Sequence, residues 1–525
     1  MAGQEKLVRS AGGIGLATQA SRILGYIRDM LIASHFGTGI YASAFFAAFR
    51  IPNLFRRLLG EGALSASFIP VFTDYLHKRS RKEAWSLALS VFNFLLLILV
   101  GITLLGIFGA PFIARVIVPG FAPDKVELTT KLLRLLFPYL LFIGIAALAM
   151  SILHSFKHFT LPAVAPIALN LAMIISLIFF VKSQSPRGIQ ILALSVLIGG
   201  FCQLLIQVPI LRKKGMPIRI RPSFRHPGVK KIVLLMGPAA LGLAVYQINI
   251  VVDTIFGSYE SIVGKGAIAA LYYGNRLMQL PLAIFGIAMA TAIFPTMAGL
   301  VSRGKIDELK ETLVFALGMA FFLIIPSSVG LMVLGKPIVS LLFERNAFGG
   351  GSAQATVTAL SYYSLGLFAY AGVQIISRAF YSLQDTKTPV KVACLTMLIN
   401  IVLNLILMRP LRLGGLALAT SLSAGFNFFF LLYLLDRKIG GIKSKKILSS
   451  LGRIILTSLF MGFVSYLAVK ALGREAETVS LVMKFLQVFV PILAGVVTLI
   501  IVSFFFKFEE AKLLRGLIFR KRGKE

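Results

Sequence analysis

Apolar runs of about 20 residues recur along the whole chain, and that spacing leaves few folds open. A run of this length matches the hydrocarbon thickness of a bilayer when it is helical. The weak residue-by-residue alternation of a membrane β-barrel is absent. Of the 525 residues 57% are hydrophobic and only 14% charged, against about 25% charged in soluble domains. The pattern predicts an all-α polytopic membrane protein with about 14 transmembrane helices. The expected spans lie near 8–34, 40–72, 84–109, 127–153, 161–181, 188–211, 230–257, 266–300, 311–334, 353–381, 388–408, 414–435, 447–470 and 481–506. Pro52, Pro70, Pro138, Pro281, Pro295 and Pro326 are the natural kink sites. Arg22 and Arg28 interrupt the first apolar stretch, so it reads as a retained span and not as a cleaved signal.

The formal net charge is +34. With the N-terminus inside, HKRSRK (77–82), RKKGMPIRIRPSFR (212–225), DRKIGGIKSKK (436–446) and FRKRGK (519–524) all fall on the cytoplasmic side. That side holds roughly 32 Lys and Arg against roughly 12 opposite, as the positive-inside rule requires. Both termini are expected in the cytoplasm, and the charge reads as topology, with no nucleic-acid partner. Cys202 and Cys394 both sit in apolar segments and read as inert buried thiols.

The chain also repeats itself. Phe45-Phe46 and Tyr272-Tyr273 stand 227 positions apart, and SFKHFTLP (155–162) and SLQDTKTP (382–389) share that offset. FIP at 68–70 has a near-echo in IFP at 293–295. Two six-helix lobes are expected, 1–225 and 226–440, related by a pseudo-two-fold axis along the membrane normal with a cavity between them. The last two spans and a basic cytoplasmic tail, 441–525, stand outside the repeat.

Against this apolar background four arginines are conspicuous: Arg22, Arg28, Arg56 and Arg276. An arginine at the centre of a spanning helix costs about 2.5–3.5 kcal/mol on insertion scales. Such residues persist where they face a wet, protein-lined cavity, and the planar guanidinium grips phosphate bidentately. Arg22 and Arg28 are six residues apart, so on a straight helix they point about 120° apart. Both serve one cavity only if the helix bends near Gly25 or the cavity wraps around it; otherwise one is a structural brace. Asp29 and Glu61 are the candidate orienting or bracing carboxylates, and the EGA at 61–63 is a candidate break in the second helix.

A second polar group comprises Asp253, Asn400 and Asn404 (i, i+4 on one helix), and Thr420. These oxygens suit a Na⁺ or H⁺ coupling site, and they equally suit interhelical hydrogen bonding. The chain carries no Walker A sequence, no HExxH, and no intramembrane carboxylate pair, and its five histidines fall at span ends or in loops. Transport is therefore expected, with no catalytic residues and no organic cofactor.

SRILGYIRD (21–29), FFAAFRIPNLFRRLLGEGALSASFIPVF (45–72), YYGNRLMQLP (272–281) and YSLQDTKTPVK (381–391) closely resemble the MurJ (MviN) family of bacterial lipid II flippases. That family lies within the multidrug/oligosaccharidyl-lipid/polysaccharide exporter superfamily, and the resemblance covers essentially the whole chain. It implies a multi-pass protein of the bacterial cytoplasmic (inner) membrane. Its substrate would be lipid II, undecaprenyl-diphosphate bearing the peptidoglycan disaccharide-pentapeptide. It implies flipping to the periplasmic leaflet by alternating access, driven by membrane potential or an ion gradient, with membrane lipids and cell-wall synthesis proteins as further partners. The family's cavity arginines match Arg22, Arg28, Arg56 and Arg276, and the two extra spans would help form a groove for the lipid tail. Asp253, Asn400, Asn404 and Thr420 fall where family members can carry a Na⁺ site. Asn404 stands where some relatives have Asp, which lowers the site's charge. Three readings compete: a flippase for another polyprenyl-diphosphate glycan, which shares the diphosphate; a cation-coupled multidrug exporter, whose cavity should be acidic; and a non-transporting scaffold for cell-wall enzymes.

Overall fold

The structure, a computed structural model, describes residues 2–58, 62–217, 226–442, 444–473, 480–506 and 508. Its helices run α1 (Ala2–Phe36), α2 (Ile40–Leu58), α3 (Leu64–Lys78), α4 (Arg81–Ile117), α5 (Pro123–Leu136), α6 (Tyr139–Ser155), α7 (Thr160–Phe179), α8 (Pro186–Leu205), α9 (Val208–Lys213), α10 (Pro227–Gly257) and α11 (Glu260–Val263). They continue as α12 (Ala267–Pro281), a π-helical segment (Leu282–Ile287), α13 (Ala288–Ser302), α14 (Ile306–Val333), α15 (Gly335–Phe343), α16 (Gly350–Leu365), α17 (Leu367–Ser382), α18 (Lys387–Leu411), α19 (Leu413–Ile439), α20 (Ser444–Ala471) and α21 (Leu481–Phe505). The described residues contain no β-strand, so the all-α expectation holds.

Local sequence explains where the helices start and stop. Ser80 caps α4 by accepting from the Glu83 N–H at 3.2 Å, and Glu83 occupies the reciprocal position of a capping box. Ser185 with Pro186, and His226 with Pro227, open α8 and α10 in the same spirit. Gly440, with a φ of 74°, closes α19 in the left-handed conformation that glycine tolerates best. In the turn before α18, burial pushes the Asp385 carboxyl up, yet hydrogen bonds from Lys438 and from the Thr388 backbone and hydroxyl outweigh it. The net result is a value pulled down to about 2.

Fourteen spans were expected. Ten described helices are long and apolar enough to cross a membrane, or eleven if α16 and α17, bent by 45° at Gly366, count as one span. The three expected spans outside this set are 8–34, 40–72 and 230–257, now α1, α2 with α3, and α10. The first two carry Arg22, Arg28 and Arg56, whose charges depress the apolar average that defines a span. The second is also interrupted: α2 ends at Leu58, and a short π-helical turn at 62–63 precedes α3. The π-helical turn covers two residues of the break expected at 61–63, while residues 59–61, Glu61 among them, lie outside the described residues. In the second half, the π-helical segment between α12 and α13 interrupts the corresponding span. π-Helical turns concentrate at functional sites, because they redirect side chains at some cost in backbone geometry.

The repeat is visible in the backbone. Ile40 and Ala267, Pro123 and Gly350, Thr160 and Lys387, and Pro186 and Leu413 begin helices 227 residues apart. At the same offset Lys157 and Gln384 both have a φ of 58°, rare for residues with a Cβ. Their turns share hydrogen bonds: His158 N–H to the Leu153 carbonyl at 2.9 Å, and Asp385 N–H to the Phe380 carbonyl at 2.9 Å.

Packing divides the chain elsewhere. One compact unit comprises Met1–Ala269 with Arg345–Phe348; the other comprises Ala270–Glu344 with Gly349–Glu525. The lobes at 1–225 and 226–440 describe duplication, and the packing units do not coincide with them. The first unit runs on to Ala269 and so takes in α10, which packs on α2, α3 and α4. The first unit's core includes Phe68, Phe72, Trp85 and Leu99; the second's includes Phe321, Phe322, Phe380 and Phe428.

Candidate functional site

The first helix decides how Arg22 and Arg28 are used. α1 is one unbroken helix, and its buried positions Ala17, Gly25, Asp29, Ile32, Ala33 and Phe36 form a stripe. α7 is the element it packs against most extensively. Taking about 100° per residue from Gly25, Arg22 and Arg28 fall about 60° to either side of that line. They flank the packed face and do not share one. Arg22 is exposed. Arg28 is held: its Nε and Nη2 donate to Asp29 Oδ1 at 3.0 and 2.7 Å, and its Nη1 donates to Asn170 Oδ1 at 3.1 Å. Asp29 is fully buried, and the Arg28 side chain is 14% exposed. No break occurs at Gly25, so the brace geometry belongs to Arg28, with Asp29 as its carboxylate.

Arg56 lies in the last turn of α2, half-buried, with its Nε donating to Asn53 Oδ1 at 2.9 Å. Its neighbour Arg57 has a buried Nε with no hydrogen-bond partner among the described residues. Arg276 is half-buried on α12, next in sequence to Asn275, whose Oδ1 accepts from Gln279 Nε2 at 2.5 Å. Arg22, Arg28 and Arg56 belong to the first unit and Arg276 to the second.

The members of the second polar group that lie in the second unit find partners close by. Asn404 Nδ2 donates to Asn400 Oδ1 at 3.0 Å, and Asn400 Nδ2 donates to Ser423 Oγ at 3.3 Å, both amides being buried. Thr420 Oγ1 donates to the Leu416 carbonyl at 2.9 Å. These are the interhelical and i−4 bonds by which polar groups satisfy themselves in apolar surroundings. Asp253, the carboxylate of the expected set, lies on α10 in the first unit while the others lie in the second. No cluster of three His, Cys, Asp or Glu side chains occurs among the described residues. Asn170 and Ser423 were not anticipated. Ser423 was findable, being three residues from Thr420 and thus on the same face of α19.

Comparison with known proteins decides the family. The family model described as lipid II flippase MurJ matches residues 32–503. The chain belongs to the MurJ lipid II flippase family. Among its relatives, a probable lipid II flippase MurJ of Buchnera aphidicola (strain APS) is 36% identical over 458 residues, covering 87% of this chain and 89% of the relative. The lipid II flippase MurJ of Burkholderia cenocepacia is 33% identical, with 81% and 82% covered. A solved structure titled lipid II flippase MurJ, inward closed conformation, superposes with a TM-score of 0.79 at 30% identity, covering 94% and 98% of the two chains. An inward-facing multidrug-resistance MATE transporter of the MOP superfamily shares the fold at a TM-score of 0.69 and 16% identity. The MurJ match begins after Arg22 and Arg28 and includes Arg56 and Arg276. Membership makes the chain a multi-pass transporter of the flippase type.

Proposed function

We propose that this chain flips lipid II, undecaprenyl-diphosphate bearing the disaccharide-pentapeptide, from the cytoplasmic to the periplasmic leaflet of the inner membrane, with both termini cytoplasmic. Within MurJ family membership, the observation that carries the reading is the arginine set. Arg22 is exposed on the helix in which Arg28 is anchored, and Arg56 and Arg276 are half-buried in helices next to π-helical turns. A diphosphate cannot enter hydrocarbon unaided, because its hydration must be replaced. Guanidinium groups replace part of it through charge-assisted bonds. Three of the four belong to one unit and one to the other. A drug–cation antiporter, which needs acidic groups, is disfavoured by the same residues.

The drive we assign to membrane potential, with Na⁺ or H⁺ as a coupling ion. One charge crossing 100 mV is worth about 2.3 kcal/mol, enough to bias a two-state equilibrium. Asp253 with Asn400, Asn404 and Thr420 is the candidate ion site. Sodium should raise the melting temperature of wild type and not of Asp253→Ala; equal shifts would remove the site. The functional reading is tested by complementation of a strain depleted of its own lipid II flippase. Growth is expected. Failure despite good membrane expression shifts the substrate to another polyprenyl-diphosphate glycan.

A further inference from the structure

Asn170 sits on α7, 142 residues from Arg28 in sequence, and is buried at 6% exposure within a largely apolar helix. A buried amide in such surroundings must be satisfied on both its oxygen and its nitrogen. Here both ends are spent on α1. Oδ1 accepts from Arg28 Nη1 at 3.1 Å, and Nδ2 donates to the Ser21 carbonyl at 3.0 Å, with Ser21 Oγ at 3.5 Å. Ser21 and Arg28 are seven residues apart, about two turns of helix. One side chain therefore touches α1 at two levels and sets both its rotation and its register against α7. Gly25, midway between the two contacts, is buried.

We infer that Asn170 is the positioning residue of the first arginine pair; the inference rests on the lipid II reading above. The chemistry of the contact supports positioning over neutralisation. Asn170 is uncharged, so it orients the Arg28 guanidinium without cancelling its charge, which a second carboxylate beside Asp29 would do. The Ser21 contact is adjacent to Arg22, so the same amide that aims Arg28 fixes the direction in which Arg22 leaves the helix. Asn170 touches α1 and need not touch the substrate: its effect on lipid II passes through the arginines.

The test is a double-mutant cycle on the purified full-length protein, read by lipid II affinity. Asn170→Leu, close in volume, should weaken binding about tenfold, the loss typical of one bond to a charged group. In an Arg28→Ala background the same change should cost little more, because the group it positions is gone. Fully additive losses would overturn the inference, since a merely structural residue acts independently of Arg28. Asn170→Asp keeps an acceptor for Arg28 but adds charge, and should also weaken binding; binding at the wild-type level would count against positioning.

A second measurement does not depend on the substrate. Spin labels at Ile23 on α1 and Phe179 on α7, both exposed, with Cys202 and Cys394 replaced, report the seating of α1. Asn170→Leu should broaden or shift that distance distribution, and an unchanged distribution overturns the inference whatever lipid II does. If Arg28→Ala leaves lipid II affinity intact, the substrate role of Arg28 fails, and the label distances still decide the role of Asn170.

Discussion

Arg28→Ala should abolish flipping and also destabilise the protein, and the two losses should separate. Removing the guanidinium strands Asp29, which is fully buried beside it. Breaking a buried pair from one side typically costs about 3–5 kcal/mol, because an uncompensated charge remains. Adding Asp29→Asn removes that charge, so Arg28→Ala/Asp29→Asn should regain most of the lost melting temperature. Flipping should not return, since the group offered to the diphosphate is still missing. The comparison divides the two roles left open by the 120° divergence of Arg22 and Arg28. If the double variant flips lipid II like wild type, Arg28 is a brace alone and Arg22 carries the first helix's contribution.

The second large effect lies at the end of the first unit where α4 and α10 finish. Lys125 is 3% exposed and pairs with Glu260 at 2.5 Å, while its ammonium lies 3.9 Å from the centre of the Phe121 ring. The same Glu260 oxygen accepts from the Gly266 N–H at 3.0 Å, and the Gly120 N–H donates to Ser258 Oγ at 3.0 Å. Gly120 has no room for a side chain: a Cβ there would lie 2.5 Å from Tyr259 Cα. The turn before α5 and the turn after α10 are thus fastened to each other. Arg345–Phe348 joins the same unit through Asn346 Nδ2, which donates to Ser34 Oγ at 2.9 Å. Lys125→Ala should lower stability by about 3–5 kcal/mol by leaving Glu260 without its cation. Lys125→Met with Glu260→Gln should recover most of it, because the desolvation cost of both charges disappears. Thermal unfolding in detergent checks both; a single variant as stable as wild type would show that water already compensates Glu260.

Much of this organisation was legible in the sequence, for identifiable reasons. The repeat could be read from SFKHFTLP and SLQDTKTP because those residues form the same strained turn twice, with Lys157 and Gln384 at matching φ. The π-helical turn at 62–63 was legible because a glycine sits there. What failed to show was partner choice. Hydropathy places α10 in a membrane but does not say that it packs on α2, α3 and α4. Asn170 was invisible because one amide in an apolar run has no local signature, and its meaning comes from a helix 142 residues away. Asn400 and Asn404 were recognised as a pair from their spacing, yet sequence could not decide between a cation and each other; the structure has them bonded to each other. The span count fell short at α1 and α2 because Arg22, Arg28 and Arg56 erode the hydropathy by which spans are recognised.

The central claim is that the arginines hold a diphosphate. The most direct measurement is the affinity of the purified protein for lipid II against the same glycan on a monophosphate-linked polyprenyl carrier. We expect lipid II to bind at least about tenfold more tightly, the worth of one charge-assisted pair, and that preference to collapse in Arg22→Ala and Arg276→Ala. Equal affinity for the two carriers, or a preference that survives both substitutions, would contradict the account.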